Sequence, residues 1–323
     1  AIARTASLSR PRLALAAAGA ASVLAVAGCA ATGSSGAPRV VATTTQIGDF
    51  VREVAGNSVQ VDQILQPNTD PHTYEPRPSD VENAAQAKLV FANGDQLDHW
   101  VADVVSKSGS GARVVDLGAQ VPVRLPGESS GPEASRFDPH WWHDPRNAEA
   151  AVREITRQLS ALDPADASKF RRNSAAYLAK LRALDSDISR CIDAVPASQR
   201  KLVTDHDAFG YFANRYGINV IGAVIPSQST EAQPSAKAVA SLVATIRREG
   251  VTAVFPESSV NPRLAQAVAR ETGASSDNTL YGDTLGPAGS SGATYVKMEK
   301  ANANAMVRGF TDGRRGCQAR SAG

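Results

Sequence analysis

The chain has 323 residues, of which 42% are hydrophobic and 20% charged, with a formal net charge of +2. That length is enough for two lobes with their own cores, and the composition is that of a soluble globular protein. So small a net charge, with no Lys/Arg block interleaved with aromatics, argues against a nucleic-acid surface.

At the N-terminus, Arg4, Arg10 and Arg12 precede or open the apolar run LALAAAGAASVLAVAG, which ends at Cys29. A basic region, a short apolar region and small residues before a cut site make a secretory signal, here residues 1–28. The run is too short and too rich in small residues for a membrane span. Val26-Ala27-Gly28-Cys29 resembles a bacterial lipobox, which implies cleavage before Cys29 and lipid on its sulfur. An ordinary signal with a chance cysteine is the alternative. Residues 29–38 are small and polar, as a flexible tether should be. The expectation is a protein in the cell envelope, lipid-anchored to the outer face of the cytoplasmic membrane.

Strand-like and helix-like segments then alternate through a first lobe, 39–147. VVATT (40–44), VQVDQIL (59–65), KLVFANG (88–94) and RVVDLG (113–118) read as strands. IGDFVREVAG (47–56), SDVENAAQA (79–87) and DHWVADVVSK read as helices, the second with Ser79 as cap and Glu82 at the third position. Segment 119–137 lacks periodicity, is rich in Gly, Pro and Ser, and reads as a surface loop. The middle, 148–197, is helical throughout. In Ala165–Val195 the residues Phe170, Tyr177, Leu181, Leu184, Ile188 and Ile192 form one apolar stripe. Such a stripe packs on its own protein or on a coiled-coil partner.

Alternation resumes in 198–323, with strands at KLVTD (201–205), INVIGAV, TAVFPE (252–257) and TLYGD, and helices between and after them. The fold class expected is α/β: two lobes, each with a mainly parallel four-stranded sheet flanked by helices, joined by one long connecting helix. Cys191 and Cys317, outside the cytoplasm, are expected to form a disulfide, with two separate thiols as the alternative.

Histidine is scarce, so its positions are informative. His72 lies in DPHTYEP, His140 and His143 in FDPHWWHDP, His206 just after KLVTD, and His99 within a helix. Ligands gather at the carboxyl ends of strands in open α/β sheets. His72, His206 and Asp283 fall at such ends. On a helix, His140 and His143 would share a face. Yet Asp138 and Asp144 precede prolines and are pushed away from helical geometry, so a turn is expected instead. His140 shares the Asp-Pro-His context of His72 and is expected to bind metal. His143 is expected at the rim or beside a ligand.

The stretches VVATTTQIGDFVREVAG, DPHTYEPRPSDVENAAQAKLVFANG, FDPHWWHDPRNA, VTDHDAFGYFANRYG and LYGDTLG resemble the metal-binding lipoproteins of bacterial zinc and manganese ABC importers. The resemblance runs in order from about Val40 to Arg308. It implies two α/β lobes joined by a long helix with the metal between them, held by His72, His140, His206 and Asp283. It also implies delivery to an ABC permease with a separate ATPase, which fits the lack of a GxxxxGK[ST] loop here. A monomer without enzyme activity is the expectation. A metal-dependent hydrolase and an adhesin of the same fold are the alternatives.

Three imidazoles and one carboxylate suit four-coordinate Zn²⁺, and the usual stability order also favours it over Mn²⁺. Mn²⁺ would need both oxygens of Asp283. The histidine-rich loop that zinc-type members often carry is missing from 119–137, which weakens the zinc assignment. Asp205, Asp207 and Glu257 are candidates to accept a ligand N–H. The connecting helix should restrict hinge opening, so release is expected through small lobe shifts and loop movement.

Overall fold

A computed structural model describes residues 1–3, 6, 7, 36–131 and 133–317. Nearly all of the signal segment 1–28 and the tether, including Cys29 with the lipidation expected there, lie outside the described residues. The described residues from Ala37 to Cys317 form one compact unit.

The first sheet comprises β1 (Arg39–Ala42), β2 (Gln60–Gln63), β3 (Leu89–Ala92) and β4 (Arg113–Asp116), all parallel in the order β2-β1-β3-β4. Successive side chains point to opposite faces. Val40, Ala42, Leu89 and Phe91 therefore meet α1 (Thr45–Ala55), which contributes Ile47, Phe50 and Val54. Val41, Val90 and Ala92 meet Ala84 of α2 (Pro78–Gln86) and Val101 and Val104 of α3 (Val101–Ser108). Burial on both faces explains why these central strands read as continuous apolar runs.

The α2 cap lies two residues earlier than expected at Ser79. Pro78, whose fixed φ suits the first helical position, starts the helix after Arg77, and Asp80 Oδ2 accepts from the Arg77 N–H at 2.7 Å. His99, expected in a helix, sits in the turn before α3, exposed, with Nδ1 3.2 Å from the Gln96 carbonyl.

Two helices follow, α4 (Pro145–Leu162) and α5 (Ala167–Asp193). At 1.5 Å per residue, the 27 residues of α5 make a rod of about 40 Å. Its predicted stripe is buried against α1 and α4 on one side of the chain and against α6 (Gly210–Tyr216) and α9 (Tyr295–Phe310) on the other. The stripe thus packs on its own protein, and one apolar core runs through both halves.

In the second half, β5 (Lys201–Thr204) and β6 (Asn219–Ala223) form a parallel ladder. The expected strands at 252–257 and 279–283 join it only through single parallel bridges, Thr204 to Phe255 and Glu257 to Leu280, with Ala253 to Ser275 beside them. Pro256 has no N–H to give, which prevents a continuous ladder there. Helices α7 (Ala236–Glu249) and α8 (Arg263–Thr272) cover this sheet. Cys191, near the end of α5, is joined to Cys317 by a disulfide with Cα atoms 5.3 Å apart. Among the described residues, no helix is long and apolar enough to cross a membrane.

Candidate metal centre

Each expected ligand sits on a short turn that follows a strand or precedes a helix. After β2, Asp70 Oδ1 accepts the His72 N–H at 3.0 Å, the Asx turn that Asp-Pro-His favours. In the second Asp-Pro-His, Asp138 Oδ1 accepts from the His140 N–H at 2.9 Å and lies 2.7 Å from its ring Nδ1. His140 is followed by one 3₁₀ turn, Trp141–His143, and Asp144 then caps α4. The prolines thus break the segment into a turn, and His140 and His143 point into different surroundings. His206 follows β5, and its N–H donates to Glu257 Oε1 at 3.0 Å. Asp283 lies beyond the Leu280 bridge. Its carbonyl accepts from Gln46 Nε2 at 2.8 Å, so α1 of the first half holds the loop of the second.

These four turns bring three imidazoles and one carboxylate together. Nε2 of His140 and Nε2 of His206 are 3.4 Å apart, and each is 3.4 Å from Asp283 Oδ1. His72 Nε2 is 4.0 Å from the same oxygen. All the potential ligand atoms of this set lie within 4.8 Å of one another. His140, His206 and Asp283 are wholly buried and His72 is 3% exposed. His72 Nε2 and both Asp283 oxygens have no hydrogen-bond partner. A buried carboxylate left so costs several kcal/mol unless a positive charge faces it.

In the metal-free state protons on His140 and His206 supply that charge. Burial pushes His140 down, but Asp138 and Asp283 more than reverse this and raise it to about 9. Burial acts against His206 in the same way, and Glu257 and Asp283 lift it well above its ordinary value. For Asp283, burial opposes ionisation, but His206 and His140 hold it well below the usual carboxylate range. A dication arriving among these atoms replaces protons in the same electrostatic role.

Every imidazole of the set has a carboxylate at Nδ1. Asp138 serves His140, Glu257 Oε2 lies 3.0 Å from His206 Nδ1, though off the hydrogen-bond line, and Glu133 Oε2 is 2.6 Å from His72 Nδ1. Such partners fix the tautomer so that Nε2 faces inward, and they raise ligand basicity. The surroundings are therefore net negative even after a dication binds, unlike the +1 that the four ligands alone would leave.

Among the expected neighbours, only Glu257 touches a ligand side chain directly. Asp205 acts one step back, its Oδ2 accepting the Glu257 N–H at 2.7 Å. Asp207, expected to accept a ligand N–H, makes no such bond, and its backbone N–H goes to the Ser227 carbonyl instead. His143, expected at the rim or beside a ligand, is fully buried elsewhere. Its Nδ1 is 2.8 Å from Glu299 Oε1 and its ring stacks on Phe209 with centroids 4.5 Å apart. Sequence reasoning missed Asp138 and Glu133. The Asp-Pro-His repeat carried a signal for the first. The second comes from the loop 119–137, where no periodicity marks it.

The two halves are also tied around the site. Trp142 Nε1 donates to the Gly282 carbonyl at 3.3 Å, Leu285 N to Thr45 Oγ1 at 2.8 Å, and Thr230 Oγ1 to Asp70 Oδ2 at 2.7 Å.

The profile of the family described as zinc-uptake complex component A, periplasmic, matches residues 40–309. The solved structure of the periplasmic zinc binding protein TroA from Treponema pallidum superposes with a TM-score of 0.78 at 33% identity, covering 85% of this chain and 99% of that one. The iron-binding protein YfeA of Yersinia pestis is 32% identical over 84% of this chain and 86% of its own length. The manganese ABC transporter substrate-binding lipoprotein PsaA of Streptococcus pneumoniae is 29% identical over 88% and 92% respectively.

Proposed function

The chain belongs to the ZnuA family of zinc-uptake components, and from that premise we propose that it captures a divalent transition metal outside the cytoplasm and delivers it to an ABC permease. The observation that carries this reading is the convergence of His72, His140, His206 and Asp283 on one buried point, with His72 Nε2 and both Asp283 oxygens unpartnered.

Zinc is the favoured cargo. A tetrahedral ion with bonds of about 2.0–2.1 Å has ligand edges of about 3.3–3.4 Å. The three edges among His140, His206 and Asp283 measure 3.4 Å, and the edge from His72 Nε2 to Asp283 Oδ1, at 4.0 Å, requires a small inward shift of the His72 turn. Three nitrogens and one oxygen also suit Zn²⁺ better than Mn²⁺, which prefers more oxygen. Four protein ligands leave no open position for a substrate, which favours holding the ion over catalysis with it.

Anchoring to the membrane by lipid on Cys29, action as a monomer, and division into an N-terminal lobe to 147, a connector to 197 and a C-terminal lobe complete the proposal. The shared core along α5 opposes a wide hinge, so release proceeds through small shifts of the ligand-bearing turns. Elemental analysis of protein purified without added metal, followed by competition between Zn²⁺ and Mn²⁺, tests the assignment. One bound zinc that excess Mn²⁺ fails to displace supports it.

A further inference from the structure

The four ligands are buried, so the ion needs a way in. A cavity of about 510 Å³ lies between residues 127–131 with Glu133 on one side and residues 226–232 on the other, which come from the two halves of the chain. Glu128, Glu133, Ser227 and Ser229 line it beside Pro226 and Ala232, and the exposed Ser129 and Ser130 stand among the lining residues. Both walls reach the turn that carries His72. On one side Glu133 Oε2 meets His72 Nδ1 at 2.6 Å. On the other, Thr230 bonds Asp70, whose second oxygen holds the His72 N–H.

The two glutamates differ in one respect. Glu128 has both oxygens occupied, one by Ser227 Oγ at 2.9 Å and one by Gln228 N at 2.8 Å. The Glu133 side chain is only 8% exposed, and its Oε1 is buried with no partner. Leaving a carboxylate oxygen desolvated and unpaired is costly, and a passing cation would satisfy it.

Resting on the metal-capture reading, we infer that this cavity is the entry vestibule for the dication and that Glu133 is a transfer ligand. A small turn of the Glu133 side chain brings Oε1 to the cavity, where it replaces one water of the hydrated ion while Oε2 stays on His72 Nδ1, and the displaced water returns to the cavity. The ion then leaves Oε1, passes round the His72 ring to Nε2 on its inner edge, and goes on to Asp283, His140 and His206. The route serves exit as well as entry.

Stopped-flow measurement of Zn²⁺ association and dissociation tests this with wild type, Glu133→Gln, Glu128→Gln and Ser130→Trp. Glu133→Gln should slow association by about tenfold or more, within the range that variants of one interface span. Glu128→Gln removes the same charge from the same wall without removing a free oxygen, and should slow association far less. Ser130→Trp narrows the cavity and should slow both rates equally, leaving the equilibrium constant unchanged. If Glu133→Gln associates as wild type does and only dissociates faster, Glu133 merely orients His72 and the transfer role is wrong. Equal slowing in the two glutamate variants would reduce the effect to charge steering and also overturn it. Unaltered rates in Ser130→Trp would place the entry elsewhere. Wild type that binds no zinc would instead sink the metal-capture reading itself.

Discussion

Nε2 of His140 and Nε2 of His206 stand 3.4 Å apart, although one ring is carried by the turn before α4 and the other by the turn after β5. Two imidazole nitrogens aimed at each other, with Asp283 Oδ1 at the same distance from both, need a positive charge between them. Protons supply it in the metal-free protein and a dication supplies it after capture. Both states occupy the same atoms, so they compete.

Replacing His140 by alanine removes a ligand, whereas replacing His143 removes a buried partner of Glu299. His140→Ala should weaken zinc binding by more than the about 10–100-fold expected from losing a neighbour of a ligand. His143→Ala should leave affinity nearly unchanged and cost about 1–3 kcal/mol of stability, because Glu299 loses its one buried partner. Calorimetric zinc titration and denaturant unfolding of the two variants separate these effects. Equal losses of affinity would contradict the separation.

The carboxylates at Nδ1 predict a graded series. Asp138→Asn and Glu257→Gln should each weaken metal binding by about 10–100-fold. Asp205→Asn acts only through the Glu257 backbone and should do less. Competition with a chelator of known affinity measures all three.

Acidity should act in opposite directions on the free and loaded protein. His140 has its pKa raised from 6.5 to about 9 by its carboxylate neighbours, against the pull of burial. Its stabilising charge is complete below the unfolded value near 6.5 and is lost as pH rises through about 9. Asp283, held below its ordinary value, contributes above the unfolded value near 3.8, and that contribution fades as pH falls through the folded value. Metal must displace the imidazole protons, so affinity should climb from pH 6 towards about 9 and binding should release protons. Melting curves with and without zinc across this range check the prediction: the gain from zinc grows as the metal-free protein loses its His140 contribution.

The disulfide should matter to stability and not to the metal. It closes a sequence separation of 126 residues between α5 and the end of the chain. A Cys191→Ser, Cys317→Ser double variant should lose about 2–5 kcal/mol and keep wild-type zinc affinity. Chemical denaturation alongside zinc titration tests both halves of that statement.

Much of the architecture was legible because apolar periodicity reports burial directly. The central strands β1 and β3 and the stripe of α5 are cases where pattern and packing coincide. The second sheet was less legible. Residues 252–257 have strand composition, but Pro256 and the polar turn around Ser275–Asp277 limit the pairing to single bridges. The ligand turns could be located from strand ends and from the two Asp-Pro-His contexts. Their neighbours could not, since Glu133 approaches His72 from 61 residues away in a loop with no pattern of its own. His143 shows the converse. Its spacing from His140 suggested a shared role, and only the three-dimensional path of the 3₁₀ turn sends it to Glu299 instead.

Zinc-edge X-ray absorption on protein titrated with one equivalent of Zn²⁺ tests the central claim most directly. The account predicts a single bound ion with three imidazole nitrogens and one carboxylate oxygen at about 2.0–2.1 Å. Fewer than three imidazoles around the zinc, or a shell made mostly of water, would contradict it.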